Sequence, residues 1–211
     1  MTVYKVKEIF YTLQGEGAHA GRAAVFCRFS GCNLWSGREI DRSNAICQFC
    51  DTDFKGTNGI NGGRYSAVQL AQKVFSLWKN DQEGKPFVVC TGGEPLLQMD
   101  KKIIDAFHRV GLEVAVETNG TIIVPEGIDW VCVSPKAKTE IVVTKGDELK
   151  LVFPQIGAEP DKFTHLDFRH FFLQPMDNFD KDYNTQVSVR YCLEHPMWRL
   201  SLQTHKLLNI P

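Results

Sequence analysis

Short, nearly continuous apolar runs recur along the chain at Ala24 to Phe29, Pro86 to Thr91, Glu113 to Thr118, Trp130 to Ser134, Glu148 to Phe153, His170 to Gln174 and Trp198 to Gln203. Strict alternation would mark strands with one wet face. Continuous runs mark strands covered on both faces, and therefore a mainly parallel sheet. Helical spacing puts Leu70, Val74, Phe75 and Trp78 on one face and Ile103, Ile104 and Phe107 on another, with a weaker stripe over Val187, Tyr191 and Cys192. Gaps such as Asn119 to Asp129 are too short for an ordinary crossover helix. The pattern predicts an α/β fold, an abbreviated partial (β/α) barrel with a mainly parallel sheet and several crossover helices missing. No linker, repeat or low-complexity tract divides the chain, so residues 1–211 are expected to form one domain.

The polar motifs follow the strands. Cys32 comes after the first run, Gly92-Gly93-Glu94-Pro95 after the second, Asn119-Gly120 after the third and Pro135-Lys136 after the fourth. Gln174-Pro175-Met176-Asp177 and Gln203-Thr204-His205-Lys206 end the last two. The C-terminal ends of parallel strands share one side of a sheet, so these motifs should converge on one rim, where ligand sites form.

Charge removes some functions. The 24 basic and 25 acidic residues nearly cancel and no long like-charge run occurs, which argues against nucleic-acid binding. Apolar stretches such as Phe87 to Cys90 are far shorter than the roughly 18 to 20 residues that span a bilayer. The opening Met-Thr-Val-Tyr-Lys lacks the apolar core of a secretory signal, and a soluble cytoplasmic protein is expected.

Seven cysteines is an odd number for a disulfide framework. Cys27, Cys90, Cys132 and Cys192 fit ordinary core positions. Cys32, Cys47 and Cys50 differ, forming Cys-x14-Cys-x2-Cys with Phe49 before the last cysteine. Three thiolates leave one position of a four-ligand centre open, which suits an iron–sulfur cluster carrying a chelating ligand on its fourth iron. A structural zinc site is the alternative, with His19 or His165 serving alone as fourth ligand.

The cysteine loop after a strand, the aromatic residue before its last cysteine and the Gly-Gly-Glu after the next strand together resemble the radical S-adenosylmethionine enzymes. That superfamily usually places three residues between its first two cysteines, whereas this chain has 14. The expanded loop at about 32–50, with Gln14-Gly15-Glu16-Gly17, Thr91-Gly92-Gly93-Glu94-Pro95, Glu117-Thr118-Asn119-Gly120, Ser134-Pro135-Lys136 and Gln203-Thr204-His205-Lys206, narrows the resemblance to the 7-carboxy-7-deazaguanine synthase family, from about Lys7 to Pro211.

The resemblance implies a carbon–nitrogen lyase of queuosine and 7-deazapurine biosynthesis, a pathway of tRNA modification. A reduced [4Fe-4S] cluster on Cys32, Cys47 and Cys50 would cleave S-adenosylmethionine to a 5′-deoxyadenosyl radical. This takes hydrogen from 6-carboxy-5,6,7,8-tetrahydropterin, which rearranges to 7-carboxy-7-deazaguanine with loss of ammonia, and the cofactor is regenerated. Reactivity belongs to the cofactor, with no catalytic side chain beyond it. An external electron donor such as a flavodoxin and a homodimer are also implied.

The same resemblance distributes roles. Phe49, Cys50 and Asp51, Gly92, Gly93 and Glu94, Ser134, Pro135 and Lys136, and Gln174, Pro175, Met176 and Asp177 would bind S-adenosylmethionine. Leu13, Gln14, Gly15, Glu16, Arg28, Thr91, Glu117, Asn119, His205 and Pro211 would bind substrate, Pro211 through a terminal carboxylate. Thr52 would hold Mg²⁺. On residue chemistry alone, glycines at 92 and 93 allow close backbone approach, Glu94 offers a carboxylate, and Arg28 can fork onto an anion. By the same reasoning Lys136 reads as a solvated charge and Asp51-Thr52-Asp53 as a capped loop with exposed acids, while Gln14 to Gly17 reads either as donors and acceptors for a ring edge or as a plain turn. Two other functions stay open: another small radical enzyme such as a glycyl-radical activase, and a zinc-stabilised binding module.

Overall fold

The computed structural model describes residues 2–78 and 84–211. Nine strands join in one sheet: β1 (Tyr4–Leu13), β2 (Ala23–Phe29), β3 (Gly63–Tyr65), β4 (Phe87–Gly92), β5 (Glu113–Thr118), β6 (Trp130–Val133), β7 (Lys145–Phe153), β8 (Asp167–Pro175) and β9 (Trp198–Leu200). Their order is β3-β1-β2-β4-β5-β6-β7-β8-β9. From β2 to β9 every neighbouring pair is parallel, while β1 runs antiparallel to both β2 and β3.

Each apolar run of the sequence contains a strand, and β5 has the expected limits. β1 and β3 escape the sequence pattern. Lys5, Lys7 and Glu8 break up the apolar positions of β1, and the register against β2 shifts between Val6 and Glu8. That irregularity buries Lys7 beside Val6, where its ammonium reaches Asp53 at 2.6 Å and Asn58 at 3.0 Å. The last run is also shorter than predicted. β9 stops at Leu200, and Thr204–Leu208 coils into a short helix, α4, instead of ending a strand. Thr204 fixes this return to the rim by donating its N–H and hydroxyl to Gly15 O at 3.0 and 2.8 Å.

Helices α1 (Ala67–Leu77), α2 (Lys101–Arg109) and α3 (Lys181–Glu194) occupy the predicted stripes. Ser66 and Gln69 close a capping box on α1, and the Asp100 carboxylate accepts from Lys102 N and Ile103 N at the start of α2. Leu70 and Val74 of α1 and Ile103, Ile104 and Phe107 of α2 are buried with Val25, Val88, Val89 and Val114 of the sheet. A second core gathers Val133, Leu149, Leu151, Phe171, Leu173 and Trp198. α3 is less apolar inside. It buries Asn184 and Ser188, and Asn184 Nδ2 donates to Met176 O at 2.9 Å, pinning the segment beyond β8.

Residues 119–129 contain no helix, as their length requires. Cys27, Cys90 and Cys132 are buried, and Cys192 is half-buried on α3. Among the described residues no helix is long and apolar enough to cross a membrane.

Candidate active site

The C-terminal ends of the parallel strands open into one cavity of about 410 Å³. It is lined by Cys32, Cys47 and Cys50, by Phe49, Asp51 and Thr52, and by residues from every predicted rim motif. Loop 32–50 is wide because it has a small core of its own. Trp35 is buried and meets Phe54 edge-on at 5.5 Å, with the Arg42 guanidinium 4.0 Å from its ring centre. Arg42 also donates to Gln48 O at 2.9 Å and Cys50 O at 3.0 Å. The intervening residues thus form a folded clamp that fixes the Cys47–Cys50 end of the loop. Neither Trp35 nor Arg42 is singled out by the sequence pattern.

Burial pushes the Cys32 thiol up, with Glu94 and Cys47 adding to the rise. Cys50 rises for the same first reason, with Cys47, Asp51 and Cys32 contributing. The three sulfurs therefore lie within electrostatic reach of one another, and they would ionise readily only beside a strong cationic centre. Among the described residues no three His, Cys, Asp or Glu side chains gather tightly enough to hold a single ion. His19 and His165, the fourth ligands a zinc site would need, do not line the cavity. A cluster places each thiolate on a separate iron, so its cysteines need not meet at one point. The donor set fits such a cluster.

Two predicted cofactor residues sit differently from the rest. Glu94 is fully buried, and its carboxylate accepts from Leu96 N, Thr118 Oγ1 and Asn119 N at 2.8–2.9 Å. Burial raises its pKa despite those donors. It faces the protein and does not line the cavity, because the N-terminus of the 95–97 turn and the end of β5 both need its oxygens. Pro135 is likewise buried behind the wall that Ser134 and Lys136 present. Gly92 and Gly93 do line the cavity, and their missing Cβ atoms serve a second purpose. A Cβ on Gly93 would meet Gly31 O and lie 2.7 Å from Cys32 Cβ, so this glycine lets the end of β4 press against the cysteine loop.

Lys136 is not a solvated charge. Its ammonium donates to Ser134 O at 2.7 Å and Ser134 Oγ at 2.6 Å, and burial holds its pKa down. The acids of Asp51-Thr52-Asp53 are both engaged, Asp53 with Lys7 and Asp51 with Lys206 Nζ at 2.6 Å. Burial works against the Asp51 charge, but Lys206 holds its pKa below the usual carboxylate range. Thr52 lines the cavity between them. Gln174, Pro175, Met176 and Asp177 line the opposite wall.

The predicted substrate residues also share the cavity. Leu13, Gln14, Gly15, Glu16, Arg28, Thr91, Glu117, Asn119, His205 and Pro211 all line it. Gln14 to Gly17 is more than a plain turn, because a Cβ on Gly15 would overlap the His205 ring, which rests directly on this glycine. Arg28 gives its Nε to Glu8 Oε1 at 2.8 Å, leaving its two terminal nitrogens for an anion. Asn119 is partly committed to structure, donating to Asn33 Oδ1 at 2.9 Å and accepting from Thr121.

At the cavity floor Lys150 Nζ reaches Glu16 Oε2 at 2.6 Å and Glu117 Oε1 at 3.1 Å. Burial opposes the charges of Glu117 and Lys150, yet their pairing holds Glu117 below the usual carboxylate range and Lys150 well above the usual ammonium one. Sequence reasoning missed Lys150. The signal was present: a lysine inside a strand covered on both faces must find a buried partner.

No protein-family profile matches the chain. Full-length similarity is nevertheless high. The chain is 61% identical over 209 residues to the 7-carboxy-7-deazaguanine synthase of Caulobacter vibrioides, covering 99% of both proteins. It is 58% identical to the enzyme of that name from Burkholderia multivorans and 56% identical to that from Nitratidesulfovibrio vulgaris, again covering 99% of each. The fold is similar to the crystal structure of QueE from Escherichia coli, with a TM-score of 0.70 over 95% of this chain and 93% of that one, at 24% identity. The chain belongs to the 7-carboxy-7-deazaguanine synthase family.

Proposed function

We propose that this enzyme contracts 6-carboxy-5,6,7,8-tetrahydropterin to 7-carboxy-7-deazaguanine with loss of ammonia, in the cytoplasm, as a single catalytic domain over residues 1–211. One observation carries the reading: a single cavity is lined both by the three thiols and by an anchored pair of carboxylates. Bound there, a [4Fe-4S] cluster with S-adenosylmethionine would supply the 5′-deoxyadenosyl radical that starts the rearrangement.

The side chains do the placing. Cys32, Cys47 and Cys50 are the cluster ligands, and the Arg42 and Trp35 clamp fixes their loop. Ser134 and Lys136, with Gln174 to Asp177, form the wall for the adenosyl and methionine groups. Glu94 supports the rim at the ends of β4 and β5 from behind, by holding Leu96 N and Asn119 N. Gln14, Glu16, Thr91 and Glu117 supply acceptors and donors for the edge of the pterin ring. Arg28, held through Nε, has the fork geometry that suits the substrate carboxylate. Thr52 offers a hydroxyl oxygen to Mg²⁺, which takes few protein ligands and completes its shell with water and substrate oxygens.

An external reductant such as a flavodoxin and a homodimeric assembly complete the proposal. A zinc-binding module is disfavoured because neither His19 nor His165 lines the cavity with the three cysteines, and a glycyl-radical activase by the names of the relatives. Anaerobic protein should contain iron and sulfide and should convert the pterin to a deazapurine. Stoichiometric zinc without iron would refute the assignment.

A further inference from the structure

Lys150 is 4% exposed and projects from β7 between a loop residue, Glu16, and a residue of β5, Glu117. Their carboxylates are already heavily used. Glu16 Oε1 accepts from Gln174 and Gln203 at 3.1 Å each, and its Oε2 accepts from Lys150. Glu117 Oε1 accepts from Gln14 at 3.2 Å and from Lys150, and its Oε2 accepts from Thr91 at 3.1 Å. An ionised carboxylate has about four acceptor sites. Three donors on each leave about one open acceptor per carboxylate, and both residues face the cavity.

We propose that Lys150 is a positioning residue for substrate: by bridging Glu16 and Glu117 it presents their remaining lone pairs as a paired acceptor for two neighbouring N–H donors, the ring N–H and exocyclic amine of an aminopyrimidinone. The inference rests on the pterin reading above and deepens it by assigning the basis of its specificity. A substrate whose 2-amino group is replaced by oxygen would present an acceptor to a carboxylate and be rejected. Without the ammonium, two adjacent carboxylates would remain in a buried floor. One would take up a proton, turning an acceptor into a donor and spoiling the match.

The test uses cluster-loaded enzyme with S-adenosylmethionine bound, and compares affinity for the carboxypterin and for its 2-oxo analogue. Lys150→Met should keep wild-type iron content and S-adenosylmethionine affinity, while KM for substrate rises about tenfold and preference over the 2-oxo analogue falls by a similar factor. Should Lys150→Met fold poorly, the Lys150→Met/Glu117→Gln variant removes one charge of each sign and keeps the floor balanced. It should show the same loss of preference, and adding Lys150→Met to Glu117→Gln should cost little more than Glu117→Gln alone. If the wild type discriminates between the two ligands and both Lys150 variants discriminate equally well, the role of Lys150 is overturned. If the wild type does not bind the pterin, the functional reading itself fails.

Discussion

Lys206 of α4 reaches across the cavity mouth to Asp51, its Nζ lying 2.6 Å from the carboxylate, and the same ammonium contacts Asp177. One residue thereby joins the segment beyond Cys50 to the segment beyond β8. The Thr204 bonds to Gly15 and the Thr12 hydroxyl bond to Pro211 O at 3.0 Å attach the same tail to the other wall. The tail from 203 to 211 is a strap over the site.

Lys206→Met should loosen that strap with little cost to the fold, because partly exposed ion pairs contribute about 1 kcal/mol or less each. The substrate KM should rise several-fold, and amide exchange over 204–210 should accelerate. Unchanged exchange and KM would show that the Thr204 and Pro211 bonds hold the strap without Lys206.

The two kinds of cysteine should separate cleanly. Cys47→Ala should prevent assembly of a complete cluster, read as iron and sulfide content and visible absorption. Cys90→Ala removes a fully buried thiol that faces no ligand site, and it should retain the cluster while losing about 1 kcal/mol of stability. A full cluster in Cys47→Ala would remove that residue from the ligand set.

Glu94 gives a test of structural against ligand roles. Glu94→Ala leaves Leu96 N, Asn119 N and the Thr118 hydroxyl without their acceptor, and unsatisfied buried groups cost roughly 1–3 kcal/mol each. Urea unfolding should show a loss of about 3 kcal/mol or more. Glu94→Gln keeps an acceptor oxygen and should recover part of it. A variant as stable as the wild type would return Glu94 to the cofactor.

His19 provides a pH signature from outside the main cavity. Its ring lies 5.3 Å from that of Phe87 and 4.1 Å from that of Trp130, and its Nε2 is buried with no partner among the described residues. Burial, then Arg22, lowers its pKa from the ordinary imidazole value of 6.5. The folded state therefore binds fewer protons than the unfolded state. Its stabilising contribution is fully present above the unfolded pKa and is lost as pH falls from there through the depressed folded pKa. Unfolding free energy should decline across that window, and His19→Phe should flatten the decline. An identical pH profile in the variant would contradict the assignment.

Strands buried on both faces, such as β5, were legible because their apolar runs are unbroken. β1 was not, since polar residues break its apolar pattern and Lys7 is drawn inward by partners far along the chain, Asp53 and Asn58. The site divided in the same way. Residues carried by rim motifs, including Gln14, Thr91, Lys136 and His205, do line one cavity. The direction of a side chain within a motif was not legible, so Glu94 reads like its neighbours yet points into the protein. Lys150 lies outside every rim motif, and Lys206 lies inside one without its role being readable there, because both roles depend on pairings, with Glu16 and Asp51, that only the folded chain creates.

The central claim is a ring contraction in this cavity. Its most direct test is an anaerobic reaction of cluster-loaded enzyme with the carboxytetrahydropterin, reductant, Mg²⁺ and substoichiometric S-adenosylmethionine, followed by chromatography of the products. The account predicts 7-carboxy-7-deazaguanine in excess over the S-adenosylmethionine supplied, because the cofactor is regenerated. Accumulation of 5′-deoxyadenosine with no deazapurine would contradict it.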